Sequence, residues 1–383
     1  MGYASQLGTF SITIKKKFIS MAIPIMIISV LSGICSIIIF GYFNSDAGGG
    51  EGPPPATPVP GDNPGSAALN ALFYVGIAFI GAFAIFFIFK YGKIRLLKAF
   101  FAIAIVLTSF FFVFLLVYSA PYFFLDLFLP GGVFKVSTDW IILSLAIVLG
   151  LGYAALTVTA MVYKLTSEPI SQLMAMLFAV LAGTFLATFL PMLASVFVMI
   201  GLSIYDIISV FRGPIKKIAE VSEERENAKY LENQSSTTEI VIETPAEDTL
   251  ETANIATENT EFTVPVEDIS ENSEPNIDSA LENTEYEYAD YIELGLGDLA
   301  FFGMLFSFAL IRLGFFSAIG AFIGVVVGAI GTIKLLEKVR MMPGLPLSIG
   351  LGLILAFGVW GIIALTGYAG WGWISPDWLS FAV

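Results

Sequence analysis

Long apolar runs fill most of this chain, each with about the 20 residues that an α-helix needs to cross a bilayer. They cover residues 18–43, 67–89, 99–120, 140–163, 170–190, 191–211, 293–313, 315–333 and 347–367. Backbone groups inside lipid must be hydrogen-bonded within their own segment, so continuous apolar runs of this length form helices there. The pattern predicts an all-α polytopic membrane protein with nine transmembrane helices, six before and three after one long acidic linker.

The composition excludes several kinds of chemistry. Of the 383 residues, 57% are hydrophobic and 13% are charged, a balance that does not suit a soluble domain. The single cysteine, Cys35, rules out a disulfide framework and a cysteine-based zinc site. The absence of histidine removes the usual imidazole base and nearly every histidine-based metal site. Carboxylates are left for acid–base work, and we expect neither a cofactor nor a metal.

The acidic linker divides the chain. The stretch from Ala219 to Glu293 holds 22 of the 32 acidic residues and only two bases. Its residues are too polar to bury a core, which predicts a disordered segment. We therefore expect an N-terminal membrane part over 1–218, a cytoplasmic linker over 219–285 and a C-terminal membrane part over 286–383. Nothing in the chain resembles the clustered basic residues of a nucleic-acid interface.

The basic residues indicate the orientation in the membrane. When alternate loops are assigned to opposite sides, 16 of the 18 Lys and Arg residues lie on one side. By the positive-inside rule, the N-terminus and the linker are cytoplasmic and the C-terminus is extracytoplasmic. The external loop over 44–65, rich in Gly and Pro, is expected to be flexible.

Two aspartates lie well inside apolar runs, near the ends that face the linker. Asp206 is in the sixth run and Asp298 in the seventh, at matching depth because these helices run in opposite directions. A carboxylate at membrane depth costs roughly 2.5 kcal/mol or more, so it is a functional candidate by default. Two facing carboxyl groups share a proton and titrate as a pair, which is the arrangement of aspartic proteases. The pair therefore indicates peptide hydrolysis without a metal.

The residues around the aspartates fit a peptide substrate. Gly295 and Gly297 flank Leu296 just before Asp298, and glycines allow another backbone to approach closely. The preceding stretch, Tyr288–Leu294, alternates in part and predicts an edge strand to which an unwound substrate adds. Further along, Pro343-Gly344-Leu345-Pro346 predicts non-helical backbone at the start of the ninth run.

Three motifs together resemble those of the presenilin family of intramembrane aspartyl proteases. Tyr205-Asp206, Gly295-Leu296-Gly297-Asp298 and Pro343-Gly344-Leu345-Pro346 are similar to the family's YD, GxGD and PALP motifs, in the same order. The resemblance implies that Asp206 and Asp298 are the catalytic pair, that the Pro343–Pro346 turn shapes the active site, and that substrates are single transmembrane helices. Gly344 departs from the family's usual alanine. The linker does not resemble that of animal presenilins.

Other functions remain open at this stage. A transporter or leak channel would use the aspartates as a proton or cation path, but the two parts of the chain show no internal repeat. A non-catalytic scaffold would tolerate Asp→Asn changes at both positions. For Tyr205, packing between helices and positioning of Asp206 are equally good interpretations. The expected partners are transmembrane substrates and the bilayer, and the sequence leaves accessory subunits and homo-oligomers open.

Overall fold

The protein is helical and its helices are long and apolar. The computed structural model describes residues 11–15, 18–45, 52–61, 63–91, 94–128, 139–211, 291–336 and 344–366. The elements in chain order are β1 (Ser11–Lys15), α1 (Phe18–Asn44), α2 (Pro64–Lys90), α3 (Ile94–Phe128), α4 (Asp139–Met161), α5 (Glu168–Phe189), α6 (Met192–Phe211), β2 (Tyr291–Gly295), α7 (Leu296–Phe308), a π-helical segment (Ala309–Leu313), α8 (Phe315–Leu336) and α9 (Leu345–Thr366).

Among these residues, eight helical segments are long and apolar enough to cross a membrane. In α6 the apolar stretch is shorter and covers Met192–Ile208. The chain is an integral, multi-pass membrane protein, so the predicted helical, polytopic class is confirmed. The acidic linker over 219–285 lies outside the described residues.

Several helix ends differ from the apolar runs by a few residues, and two of these differences have a physical reason. The third run is predicted to stop at residue 120, before Pro121, but α3 continues through Pro121 to Phe128. Proline breaks helices by removing one amide donor, and neighbouring helices compensate for that loss inside a membrane. The seventh run is predicted to begin at residue 293, yet the backbone is a strand up to Gly295 and becomes helical at Leu296.

Helix α7 is the centre of the bundle. It packs against α1, α5, α8 and α9. Of the stretch Leu296–Leu313, which is α7 with the π-helical segment after it, 72% is buried, the highest share among the described membrane-spanning stretches. Its contacts are fixed by a buried hydroxyl cluster, in which Ser32 Oγ of α1 is hydrogen-bonded to Ser307 Oγ (2.8 Å) and to Thr184 Oγ1 of α5 (3.2 Å). Such bonds are worth about 0.6 kcal/mol each in a membrane, and they specify which faces meet.

Close packing also joins α8 to α9 through small residues. A Cβ atom added at Gly324 would lie 2.6 Å from Gly352 Cα, and one added at Gly328 would lie 2.4 Å from Ser348 Cα. The glycines therefore let the two backbones touch, as expected for a small-xxx-small pattern. The contact between α8 and α9 therefore fixes the position of α9. Helix α9 begins at Leu345, and its first turn lies close to Asp206.

The loop between α1 and α2 has hydrogen-bond partners in the helices beside it. Over residues 52–61, the amide of Ala56 donates to the Phe189 carbonyl (2.9 Å), and the Asn70 side chain bonds both backbone groups of Val59 (3.0 Å each). The Tyr74 hydroxyl also donates to the Ala56 carbonyl. Partners on α2 and α5 therefore bind the backbone of this segment, and the flexibility of the loop stays a prediction.

Candidate active site

The two membrane aspartates lie on helices that contact each other. Asp206 is five residues before the end of α6, and Asp298 is the third residue of α7. Both side chains are half-buried, and their carboxyl groups interact electrostatically. The contact between α6 and α7 thus brings together two acids that are 92 residues apart in the sequence.

The turn that precedes α9 contacts both aspartates. The amide of Leu345 donates to Asp206 Oδ2 (3.2 Å), and the Gly344 backbone interacts with the same carboxylate. On its other side, a Cβ atom added at Gly344 would lie 3.0 Å from Asp298 Oδ2. Three motifs that are distant in the sequence therefore converge on one small volume.

The backbone at this turn is more helical than the sequence predicts. Pro343 lies outside the described residues, and α9 already begins at Leu345, so only Gly344 is non-helical in the described part of the motif. Pro346 is the second residue of α9, where a helix has no internal partner for the amide that proline lacks. The expectation of non-helical backbone through Pro346 is wrong for this reason. Sequence reasoning also missed that the Leu345 amide is a donor to Asp206.

The glycines before Asp298 have different surroundings. Gly295 ends β2 and caps α7, and a Cβ atom added there would lie 3.5 Å from Asp298 Oδ2. Gly297 is exposed, and a Cβ atom added there would meet nothing within 4 Å. Leu296 between them is half-buried and packs towards α3 and α5. The motif is therefore packed at Leu296, whereas at Gly297, the residue before Asp298, it is exposed.

The strand predicted before the aspartate forms, but it has a partner in the chain. β2 pairs antiparallel with β1, with Ser11 opposite Gly295 and Lys15 opposite Tyr291. Residues 288–290 of the predicted strand lie outside the described residues. The β1 strand was not predicted, although Ser11-Ile12-Thr13-Ile14-Lys15 alternates polar and β-branched apolar residues, which is the usual strand pattern.

Tyr205 packs against the second helix. Its ring meets that of Phe79 of α2 edge to face, with the ring centroids 4.6 Å apart. Aromatic pairs of this geometry stabilise helix packing by about 0.5–1.5 kcal/mol beyond their buried area. Of the two roles considered for Tyr205, this contact supplies the packing role.

Comparison with known proteins identifies the family. The family model described as Presenilin matches residues 227–364. This part of the chain therefore matches the family that the sequence motifs predict. The matched region includes Asp298 and the Pro343–Pro346 motif, whereas Asp206 precedes it.

A solved structure also matches the chain over most of its length. It is a presenilin family intramembrane aspartate protease crystallised in space group C222, with 14% sequence identity and a TM-score of 0.46, and the match covers 88% of this chain and 97% of that one. No curated protein matches the sequence.

Proposed function

We propose that this presenilin-domain protein is an intramembrane aspartyl endopeptidase that hydrolyses peptide bonds of transmembrane helical substrates. The observation that carries the proposal is the convergence of Asp206, Asp298 and the Gly344–Leu345 turn.

The chemistry follows from one proton held between the two carboxyl groups. The ionised group takes a proton from a water molecule, whose oxygen attacks the carbonyl carbon of the substrate. The protonated group donates to the carbonyl oxygen, which gives a tetrahedral diol. Transfer of a proton to the amide nitrogen then breaks the C–N bond and releases an amine and a carboxylic acid. Water is the only co-reactant, so the proposal needs no cofactor and no metal.

The substrate must lose its helical hydrogen bonds before it is cut, and β2 offers replacements. A strand has two edges, and β1 occupies one edge of β2 in the described part of the chain. We place the unwound substrate on the remaining edge, where main-chain hydrogen bonds satisfy the groups released from its helix. The last residue of β2, Gly295, is three residues from Asp298, which keeps the paired segment close to the carboxylates.

The arrangement in the membrane is part of the proposal. We assign nine transmembrane helices, six before and three after a cytoplasmic linker over 219–285, with the N-terminus cytoplasmic and the C-terminus extracytoplasmic. The membrane parts are then 1–218 and 286–383. The proposed partners are transmembrane proteins or peptides and the lipid bilayer, and the proposal leaves accessory subunits and homo-oligomers open.

The decisive experiment measures cleavage of a transmembrane peptide by the purified full-length chain in detergent. We expect Asp206→Asn and Asp298→Asn each to lower the rate at least about a hundredfold, because neither amide supplies the missing acid or base. Asp139→Asn at the start of α4 is the matched control and keeps activity, since that acid lies in a different helix. Cleavage should persist in a chelator and stop with a transition-state analogue of aspartic proteases.

Each rival function gives a different result. Activity that survives either change at Asp206 or Asp298 contradicts the proposal. Loss of cleavage in the chelator indicates a metal-dependent hydrolase. Ion flux through proteoliposomes without any cleavage indicates the transporter or channel.

A further inference from the structure

The strand β1 lies beside the segment that leads into α7. In the described part of the chain it is the one strand paired with β2, through five residue pairs from Ser11 opposite Gly295 to Lys15 opposite Tyr291. Gly295 is three residues from Asp298. Because the pairing is antiparallel, the first residue of β1 is the one nearest the proposed active site.

The strand β1 is also attached to the helices around α7. It contacts α1 and α5, and both of these helices pack against α7. Along the chain, only two residues separate Lys15 from Phe18, the first residue of α1. The contacts of β2, in contrast, are mainly with β1 and with α7. The β1 strand therefore connects β2 to helices of the bundle other than α7.

The pairing explains where α7 begins. The local sequence favours an earlier start, since the seventh apolar run begins at residue 293 and Tyr291–Leu294 contains no helix breaker. Gly295 is the N-cap of α7 and makes no side-chain cap hydrogen bond, so no capping side chain stops the helix there. Glycine weakens a helix but does not prevent one. Hydrogen bonds to β1 are thus the interaction that keeps residues 291–295 extended.

An extended β2 is what the proposed substrate requires. Its five residues span about 16 Å as a strand and carry backbone groups along both edges. In a helix the same five residues would span about 7.5 Å and would bond their backbone groups internally. A helical segment would therefore offer no edge to an unwound substrate.

We propose that Ser11–Lys15 is a positioning segment of the active site. By occupying one edge of β2, it holds the other edge extended for the substrate and prevents α7 from starting earlier. This inference rests on the proposed protease function and adds to the site a part of the chain that precedes α1. The segment acts on substrate binding and does not touch the reacting atoms, so its loss should change KM more than kcat.

The pairing is tested first by disulfide crosslinking, which does not depend on cleavage. In the Cys35→Ser background, Thr13→Cys and Glu293→Cys place two thiols opposite each other in the register, close enough for a disulfide. Thr13→Cys with Tyr291→Cys is the matched control, because diagonal neighbours are about 7–8 Å apart. We expect the first pair to crosslink at least about tenfold faster than the second. Equal rates, or no crosslink in either pair, would overturn the proposal.

The crosslinked chain then distinguishes a positioning strand from an inhibitory one. With the disulfide between positions 13 and 293 closed, cleavage of a transmembrane peptide should be as fast as in the reduced chain or faster. If the closed disulfide stops cleavage and a reductant restores it, β1 has to leave before a substrate binds, and the positioning role is wrong. The Cys35→Ser chain treated with the same oxidant controls for other effects of oxidation.

Proline substitutions in β1 separate binding from the chemical step. Ile12 and Thr13 point their amides to opposite edges of the strand, so Ile12→Pro and Thr13→Pro differ in whether a donor to β2 is lost, and one is the matched control of the other. One variant should raise KM about tenfold with little change in kcat, whereas partial unfolding lowers the amount of active enzyme and leaves KM as it was.

An unchanged KM in both proline variants contradicts the positioning role. If the unaltered chain cleaves no peptide at all, the protease function itself fails and the positioning role with it, while the crosslinking still shows whether β1 pairs with β2.

Discussion

At the scale of single residues, the amide of Leu345 connects the beginning of α9 to Asp206. Its hydrogen bond of 3.2 Å orients one carboxyl group, while Gly344 lies against the other. A Cβ atom at Gly344 would be 3.0 Å from Asp298 Oδ2, tighter than most real contacts of this kind. Glycine at this position therefore keeps the turn and Asp298 in contact without displacing the carboxylate.

The free space beside Gly297 provides the first prediction. Gly297→Ala should leave the stability unchanged or raise it by up to about 1 kcal/mol, because alanine favours helices and the added methyl group meets nothing. Cleavage should nevertheless decrease, mainly through a higher KM, since the methyl group fills space that we assign to the substrate backbone. Steady-state kinetics and thermal denaturation of the same preparation measure the two effects separately.

The control for this change is Gly76→Ala. Gly76 is in α2, and a Cβ atom there also meets nothing within 4 Å, so neither KM nor stability should suffer. An unchanged KM in Gly297→Ala would contradict the assignment of that space to a substrate.

At the scale of elements, the contact between α8 and α9 determines where the Leu345 amide lies. A methyl group at Gly328 would lie 2.4 Å from Ser348 Cα and 2.7 Å from the Leu347 carbonyl oxygen, both of which are backbone atoms of α9. Backbone atoms cannot rotate away, so the helices must separate. Ser348 is three residues from Leu345, less than one helical turn.

We expect Gly328→Ala to lower the free energy of unfolding by about 1–3 kcal/mol, the usual cost of overpacking. It should also lower the cleavage rate, because the shift of α9 moves the amide that binds Asp206. Gly350→Ala on α9 is the matched control, since a Cβ atom there meets nothing within 4 Å. Equal stability of the two variants in the same detergent would show that the helices separate without cost.

The β2 strand leads to a prediction about backbone hydrogen bonds. Successive residues of a strand point their amides to opposite edges, so Ile292→Pro and Glu293→Pro remove donors from different edges of β2. One change weakens pairing with β1, and the other weakens pairing with the substrate. We expect at least one of them to reduce cleavage of a transmembrane peptide more than tenfold. Ile292→Val keeps the amide and should retain activity, and full activity of both proline variants would exclude substrate pairing at β2.

The sequence alone predicts the elements better than their ends. The apolar runs locate the helices because hydrophobic length is a local property, and the two aspartates stand out because acids are rare at membrane depth. The end of α3 was missed because a local rule treats Pro121 as a helix breaker, whereas the helix continues through it to Phe128. The π-helical segment from Ala309 to Leu313 was missed for a similar reason, although Gly314, with φ of +98°, marks the break that follows it.

At the scale of the whole molecule, the site depends on contacts between distant parts of the chain. The pairing of β1 with β2 and the donation from Leu345 to Asp206 each join segments more than 100 residues apart. Spacing in the sequence does not encode such contacts, so the motifs indicate candidate residues but not the backbone groups that contact them. The proposed orientation in the membrane, in contrast, rests on composition alone, through the distribution of Lys and Arg.

This orientation can be measured with cysteine labels. Cys35 is the only cysteine, so Cys35→Ser gives a background into which Ser5→Cys and Ser380→Cys are introduced separately. In intact cells or right-side-out vesicles, a membrane-impermeant maleimide should label the cysteine at position 380 and not the one at position 5. Both should react after the membrane is permeabilised, which controls for the reactivity of each thiol. Labelling at position 5 in sealed vesicles would reverse the assigned orientation and place both aspartates near the extracytoplasmic surface, whereas labelling at both positions would require an even number of crossings.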